Sequence, residues 1–125
     1  MILDTNALSA FAEGNQQVRD SIVASSGPYL PVVVIGEYRF GVMTVRDRQR
    51  RLAWLAELME YWQVLDVSVE TATHYAEIRQ KLKLQATPIP ANDTWIAALA
   101  RQHRLPIMSN DLHFDVVPGI ERIGF

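Results

Sequence analysis

The chain begins with Met1-Ile2-Leu3-Asp4-Thr5-Asn6, a short apolar run that ends in polar residues. Apolar residues at helical spacing follow at once, between positions 7 and 12. This pattern predicts a short buried strand whose carboxyl end presents the carboxylate of Asp4. Because ligands of open α/β sheets bind at the carboxyl ends of the strands, we expect Asp4 to form one wall of a cation site.

Segments with strand and helix patterns alternate along the rest of the chain. Further strands are predicted at residues 29–33, 63–68, 106–108 and 121–125, and further helices at 16–25, from 34 onward, 45–62, 70–84 and 91–103. The alternation predicts an α/β fold with a central, mainly parallel sheet of four to five strands and helices on both faces. No linker or repeat interrupts the pattern, so we expect a single domain over residues 1–125.

The composition limits the classes of protein to which the chain can belong. With 49% hydrophobic and 21% charged residues, it has the balance of a globular protein. There is no cysteine, which excludes disulfides, thiolate zinc sites and cysteine nucleophiles. No apolar run is long enough to span a bilayer, and no secretory leader is visible, so we expect a cytoplasmic protein without a membrane partner.

Four acids occupy two kinds of position. Asp4 and Asp111 directly follow apolar strands, whereas Glu37 and Asp93 lie in the first turns of helices. In a doubly wound sheet these positions converge on one edge. At 4 Å and an effective dielectric constant of 20, each pair of like charges there would cost roughly 4 kcal/mol. The cluster therefore requires either raised pKa values or a cation, and oxygen ligands suit Mg²⁺ or Mn²⁺.

A divalent cation held by carboxylates indicates hydrolytic chemistry on phosphodiesters. Such an ion activates a water molecule and neutralises charge on the phosphate, and two ions about 3.5–4 Å apart clamp both the attacking and the leaving oxygen. The set of acids therefore predicts a nuclease. Any one of them alone is more often a helix cap or a surface charge than a metal ligand, so the interpretation depends on all four.

The motifs around these acids also resemble those of a known family. They are residues 2–6, Glu37 with Gly41, residues 92–98, and residues 109–111 followed by Phe114 and Pro118-Gly119. In this order and over essentially the whole chain, they resemble the PIN-domain ribonucleases, and among these the VapC-type toxins of toxin–antitoxin pairs. The resemblance implies a Mg²⁺- or Mn²⁺-dependent endoribonuclease whose metal-binding and catalytic acids are Asp4, Glu37, Asp93 and Asp111.

The resemblance implies further properties. Asn6 and Ser109 would orient the acids or the metal-bound waters. The substrate would be a structured RNA such as tRNA or rRNA, and the protein would form a homodimer silenced by a small cognate antitoxin. One position departs from the family: many members carry another acid two residues after the last one, where this chain has His113. Asp115 would replace that acid only if its loop bends back, so the number of ions remains open.

A basic segment offers the second candidate site. The net charge of −2 gives no general attraction to nucleic acid, so RNA would have to bind a local basic patch. Four arginines near a predicted helix start supply such a basic patch. Such a run of arginines is most often a solvated helix face. Its functional interpretation is a surface that contacts RNA phosphates or an antitoxin. The residues are Arg46, Arg48, Arg50 and Arg51.

Three other functions compete with a nuclease. A phosphoacceptor receiver domain requires paired acids after the first strand and a lysine after a late strand, but Thr5 and the segment 109–111 stand there instead. A haloacid-dehalogenase-like phosphatase requires a second aspartate at position 6, which is Asn6. A catalytically inactive PIN-like module that binds RNA or a partner remains open, although the presence of all four acids argues against it.

Overall fold

The computed structural model describes all 125 residues, and strands and helices alternate along them. The strands are β1 (Ile2–Leu3), β2 (Tyr29–Pro31), β3 (Gln63–Leu65), β4 (Ile107–Met108) and β5 (Arg122–Ile123). The helices are α1 (Thr5–Ala12), α2 (Gln16–Ala24), α3 (Val32–Val42), α4 (Arg48–Tyr61), α5 (Val69–Leu84) and α6 (Ala91–His103), with a 3₁₀ helix over Leu112–Val116.

The five strands form one sheet in the order β3-β2-β1-β4-β5, and every neighbouring pair is parallel. Ile2 of the central strand β1 is in register with Tyr29 of β2 on one side and with Ile107 of β4 on the other. Ile2, Leu3 and Ile107 are fully buried, as expected for strands covered on both faces. The predicted α/β class with a parallel sheet is confirmed.

The strand order places a change of direction beside β1. The chain proceeds from β1 to β2 and β3 on one side, then returns past β1 to β4 on the other. Since crossovers between parallel strands are right-handed, α1 to α4 cover one face of the sheet, and α5 and α6 cover the other. The crevice of such a sheet opens where the direction changes, at the carboxyl ends of β1 and β4. Asp4 directly follows β1, so it lies at that crevice.

Several predicted boundaries differ from the structure, among them those of α3, α4 and β3. Helix α3 begins at Val32 instead of residue 34, because Pro31 ends β2 with extended dihedral angles and precedes the first helical turn. Helix α4 begins at Arg48 instead of residue 45. Strand β3 ends at Leu65 instead of residue 68, because Ser68 already serves as the N-cap of α5.

The interior is one cluster of buried apolar side chains that includes β1, β4 and the inner faces of α1, α3 and α6. The strand ends and helix starts that border the crevice are therefore attached to the best-packed part of the chain. None of the helices combines the length and apolar character that crossing a bilayer requires.

Candidate metal centre

Asp4 lies deepest in the crevice and is the only charged residue among the fully buried ones, with 4% of its surface exposed. Its Oδ2 accepts hydrogen bonds from Ser109 Oγ at 2.7 Å and from Asn6 Nδ2 at 2.8 Å. Burial raises the pKa of Asp4, and the Asp93 and Asp111 carboxylates raise it further, while the hydrogen bond from Ser109 opposes this. The two donors therefore favour the ionised form of a carboxylate that its burial disfavours.

Asn6 and Ser109 connect the ends of β1 and β4. The Asn6 amide donates to Ser109 Oγ at 2.9 Å as well as to Asp4, and its Oδ1 accepts the backbone N–H of Asn110 at 3.1 Å. Ser109 Oγ also accepts the backbone N–H of Asp111 at 2.9 Å. Each polar group of this network is bonded on more than one side. Asn6 and Ser109 thus contact the acids that the sequence singled out, and they fix the start of the segment that carries Asp111.

Glu37 lies in the second turn of α3 and carries the clearest unmet requirement of the site. Its Oε1 is buried, and no donor forms a hydrogen bond with it. The Thr5 hydroxyl, which is also without a hydrogen bond, lies close enough to lower the pKa of Glu37. Burial raises the pKa of Glu37, and repulsion by Asp4 and Asp93 raises it further. A buried carboxylate oxygen without a partner is costly, so this oxygen is available to bind a ligand.

Asp93 lies in the first turn of α6, where the partial positive charge of the helix end favours an anion. Its Oδ2 is 2.8 Å from Nδ1 of His113. Burial raises the pKa of Asp93 and repulsion by Asp111 adds to this, whereas the contact with His113 lowers it. Asp93 is therefore the acid with the nearest positive neighbour, and that neighbour is a histidine.

Asp111 and His113 lie at the start of the 3₁₀ helix. Asp111 Oδ1 accepts the backbone N–H of His113 at 2.9 Å and so caps this helix. The same oxygen is 3.0 Å from His113 Nδ1. Hydrogen bonding to Asp93, together with the negative charge of both acids, raises the pKa of His113. The imidazole therefore bridges two acids of the candidate site.

Asp115 is bound elsewhere, which answers the question that the sequence left open. Both of its carboxylate oxygens accept from Arg122, at 2.7 Å and 3.0 Å, and this pairing lowers the pKa of Asp115. Arg122 also donates to the backbone carbonyl of Ser109 at 3.0 Å. Asp115 therefore fastens the loop from behind, and His113 is the residue that occupies the site.

The structure brings the four acids close enough to repel one another. Asp4 interacts repulsively with Glu37, Asp93 and Asp111, and Asp93 does so with Glu37 and Asp111. No lysine or arginine forms an ion pair with any of them. The donor set of carboxylates with one imidazole, the unbonded Glu37 oxygen and the uncompensated charge all fit a hydrated divalent cation.

The four arginines lie apart from this centre, around the start of α4. Arg50 and Arg51 both pair with Asp47, and Arg48 donates to the carbonyl of Met43 at 3.1 Å. Arg46 is exposed and makes no ion pair. Half of the basic cluster is therefore paired with one carboxylate at the start of its own helix, and residues 46–51 keep a formal net charge of +3.

The fold agrees with the comparisons to known proteins. The family model described as PIN domain matches residues 1–120. The chain belongs to the PIN-domain family. Ribonuclease VapC5 of Mycobacterium tuberculosis is 31% identical over 94% of this chain and 87% of its own length. The tRNA(fMet)-specific endonuclease VapC of Shigella flexneri is 30% identical over 95% of this chain and 92% of its own length.

Solved structures give the same result for the fold. The DNA-bound VapBC of Salmonella typhimurium superposes with a TM-score of 0.87 at 25% identity, covering 98% of this chain and 96% of that one. VapBC-5 of Mycobacterium tuberculosis superposes with a TM-score of 0.76 at 29% identity, covering 99% and 97%. The PIN-like fold inferred from the motifs is confirmed.

The sequence did not reveal the contact between His113 and Asp93, which are 20 positions apart. The only local signal is that Asp111 precedes His113 by two residues, the spacing at which an aspartate accepts a backbone N–H and begins a turn. That signal places the imidazole near Asp111 but gives no information about Asp93, which arrives from a different helix.

Proposed function

We propose that the protein is a metal-dependent endoribonuclease that hydrolyses RNA phosphodiester bonds and acts as the toxin of a type II toxin–antitoxin pair. The observation that supports this most strongly is the convergence of four acids without a lysine or arginine partner, together with the unbonded buried oxygen of Glu37. The VapC ribonucleases among its relatives and the VapBC complexes among similar structures support the same assignment.

In this proposal Asp4, Glu37, Asp93 and Asp111 hold Mg²⁺ or Mn²⁺. When bound, such an ion lowers the pKa of a coordinated water and neutralises charge on the phosphate. Asn6 and Ser109 keep Asp4 ionised and oriented, because both donate to the same carboxylate oxygen. The negative charge of the centre would otherwise repel RNA, so the cation is also a condition for substrate binding.

The substrate and the partners are proposed from the known proteins that the chain resembles. A tRNA or rRNA substrate is proposed because relatives include endonucleases named for tRNA(fMet). A small antitoxin is proposed because similar structures are VapBC assemblies. We also propose that residues 1–125 act as one domain, that the protein forms a homodimer, and that it acts on RNA in the cytoplasm.

The test is cleavage of total cellular RNA by purified protein treated with EDTA and then resupplied with Mg²⁺ or Mn²⁺. We expect no cleavage in EDTA and defined fragments after either ion is restored. A parallel preparation of Asp111→Asn controls for contaminating ribonuclease. Cleavage that survives EDTA would refute metal dependence, whereas a folded protein that binds metal but never cleaves RNA would support the inactive binding module instead.

A further inference from the structure

Three donor atoms face one another at the outer side of the centre. His113 Nδ1 lies 2.8 Å from Asp93 Oδ2 and 3.0 Å from Asp111 Oδ1, and single ligand atoms of the three residues lie within 4.8 Å of one another. The His113 side chain is 49% exposed, so an ion can reach this group from solvent. One of the three donors is a nitrogen, in a site that is otherwise made of oxygens.

The spacing of these atoms suits a metal ion. With metal–ligand bonds of about 2.1 Å, adjacent ligands of an octahedral ion are about 3 Å apart. Both distances from the imidazole nitrogen have this value, so an ion can enter with little movement of the side chains.

The chain holds His113 in this place from both sides. Its backbone N–H donates to Asp111, which begins the 3₁₀ helix, and Asp115 two residues later is paired with Arg122. Arg122 in turn bonds the carbonyl of Ser109, which precedes the helix. The imidazole is therefore attached to a short segment fastened at both ends.

We propose that His113 is a nitrogen ligand of the metal and that it makes this centre prefer Mn²⁺ to Mg²⁺. The inference depends on the proposed function only in requiring that the centre binds a divalent cation. Mg²⁺ strongly prefers oxygen ligands and loses its waters reluctantly, whereas imidazole suits transition metals, for which affinity rises along the first row. A carboxylate at position 113 would remove this distinction.

The alternative is that His113 only hydrogen-bonds the two acids and is displaced when an ion enters. The two arrangements differ in whether a nitrogen is bonded to the ion. Pulsed electron paramagnetic resonance of the Mn²⁺-loaded protein detects a directly bonded ¹⁴N. We expect this coupling in the wild-type protein and in His74→Asn, which alters a histidine bound to Arg101 instead. We expect its loss in His113→Asp and His113→Asn.

Calorimetric titration with Mn²⁺ and with Mg²⁺ supplies the second measurement. The ratio of Mn²⁺ to Mg²⁺ affinity should fall about tenfold or more in His113→Asp, because a carboxylate restores an oxygen ligand that Mg²⁺ accepts. In His113→Asn the affinity for Mn²⁺ should fall more than that for Mg²⁺. Circular dichroism of each variant verifies that this half-exposed position has not altered the fold.

The inference is overturned if the wild-type protein binds no Mn²⁺ or shows no ¹⁴N coupling when Mn²⁺ is bound. It is also overturned if the coupling survives in both variants at position 113. These outcomes are separate from the fate of the proposed function. RNA cleavage without nitrogen coupling would retain the nuclease and reject His113 as a ligand. Nitrogen coupling without RNA cleavage would retain the ligand and reject the nuclease.

Discussion

The molecule carries two clusters of like charge, and the chain treats them differently. At the start of α4, Asp47 lies among the arginines, pairs with Arg50 and Arg51, and has its pKa lowered by them. In the crevice, hydrogen bonds reach Asp4, and His113 contacts Asp93 and Asp111, but no lysine or arginine forms an ion pair with any of the four acids. Burial and mutual repulsion raise the pKa values of Asp4, Glu37 and Asp93.

The difference separates charge that stabilises the fold from charge that awaits a ligand. A helix face neutralises its own charge with a neighbour one turn away, which requires only local sequence. The acids of the centre come from four distant parts of the chain, and the fold brings them together at an energetic cost. Such a cost is typical of functional sites, where stability is lost for the sake of binding.

The largest effect on RNA cleavage is expected when Asp4 is replaced, and replacing Asp47 in the arginine cluster is the control. Asp4→Asn should keep the fold, because an amide still accepts the hydrogen bonds of Asn6 and Ser109, but it should lower RNA cleavage about a thousandfold. That loss corresponds to the several kcal/mol that a metal ion supplies to a transition state. Asp47→Asn is the matched control and should cleave RNA at nearly the wild-type rate. Initial rates on one RNA substrate measure both.

The comparison would fail if the two variants lost activity equally, since the acids of the centre would then have no special role. A folded Asp4→Asn protein that cleaved RNA normally would remove Asp4 from the mechanism. Circular dichroism and the melting temperature distinguish either result from unfolding.

The next largest effect, on metal affinity, is expected when the hydrogen bonds that Asn6 and Ser109 make with Asp4 are disrupted. Ser109→Ala removes the hydroxyl that donates to Asp4 and accepts from Asn6 and from the Asp111 backbone. Loss of such a supporting residue typically costs 10- to 100-fold in metal affinity or activity, so we expect a loss of about that size. Calorimetric titration with Mn²⁺ measures the affinity.

Ser68→Ala is the control for stability. Ser68 caps α5, and its side chain accepts the backbone N–H of Thr71. Its loss should cost about 1 kcal/mol of stability without changing metal affinity. If both variants were equally destabilised and both kept wild-type metal affinity, Ser109 would be a structural residue only.

The sequence predicted most of the elements and singled out the four acids that the structure places near one another, because both depend on short-range patterns. Apolar runs and helical spacing identify strands and helices, and an acid just past a strand is recognisable without a structure. The errors fall where two local signals compete. Val32 and Val33 are β-branched and were assigned to a strand, but Pro31 ends the strand and α3 begins at once.

The contacts that set the chemistry could not be predicted, because they depend on distances between separate elements. The choice between His113 and Asp115 is decided by Arg122, which takes Asp115 into a two-bond pair. The contact of His113 with Asp93 depends on how α6 lies against the 3₁₀ helix. The sequence gives neither the angle nor the separation of these elements.

A smaller effect is expected when the arginine cluster is removed. Replacing Arg46, Arg48, Arg50 and Arg51 by Gln should weaken RNA binding and flatten its salt dependence, since each phosphate contact to single-stranded RNA contributes about 0.7 to the slope of log K against log salt. Because Asp47 already pairs with Arg50 and Arg51, Arg46→Gln and Arg48→Gln together should account for most of the change.

Filter binding of RNA to the Asp4→Asn background, at several salt concentrations, measures this slope without cleavage. The double variant Arg50→Gln and Arg51→Gln is the matched control, with the same change in charge. An unaltered slope in the fourfold variant would return the whole cluster to a solvated helix face. A larger change in the control pair would show that Asp47 does not neutralise them.

The smallest effect is expected on stability at Glu37, and it has opposite signs with and without metal. In EDTA, Glu37→Gln should raise the melting temperature by about 2–4 °C, because it removes repulsion by Asp4 and Asp93. Since the pKa of Glu37 is raised, this gain should be absent in acid, where the carboxyl is protonated in both states, should grow as pH rises above the ordinary glutamate pKa, and should level off above the raised pKa of Glu37. Glu57→Gln, on an exposed part of α4, should show no such trend.

With Mn²⁺ at 100 times its dissociation constant, binding adds about 2.7 kcal/mol to the stability of the wild-type protein and less to that of Glu37→Gln, so the order of their melting temperatures should reverse. Without that reversal, Glu37 would be a buried acid that the metal does not use.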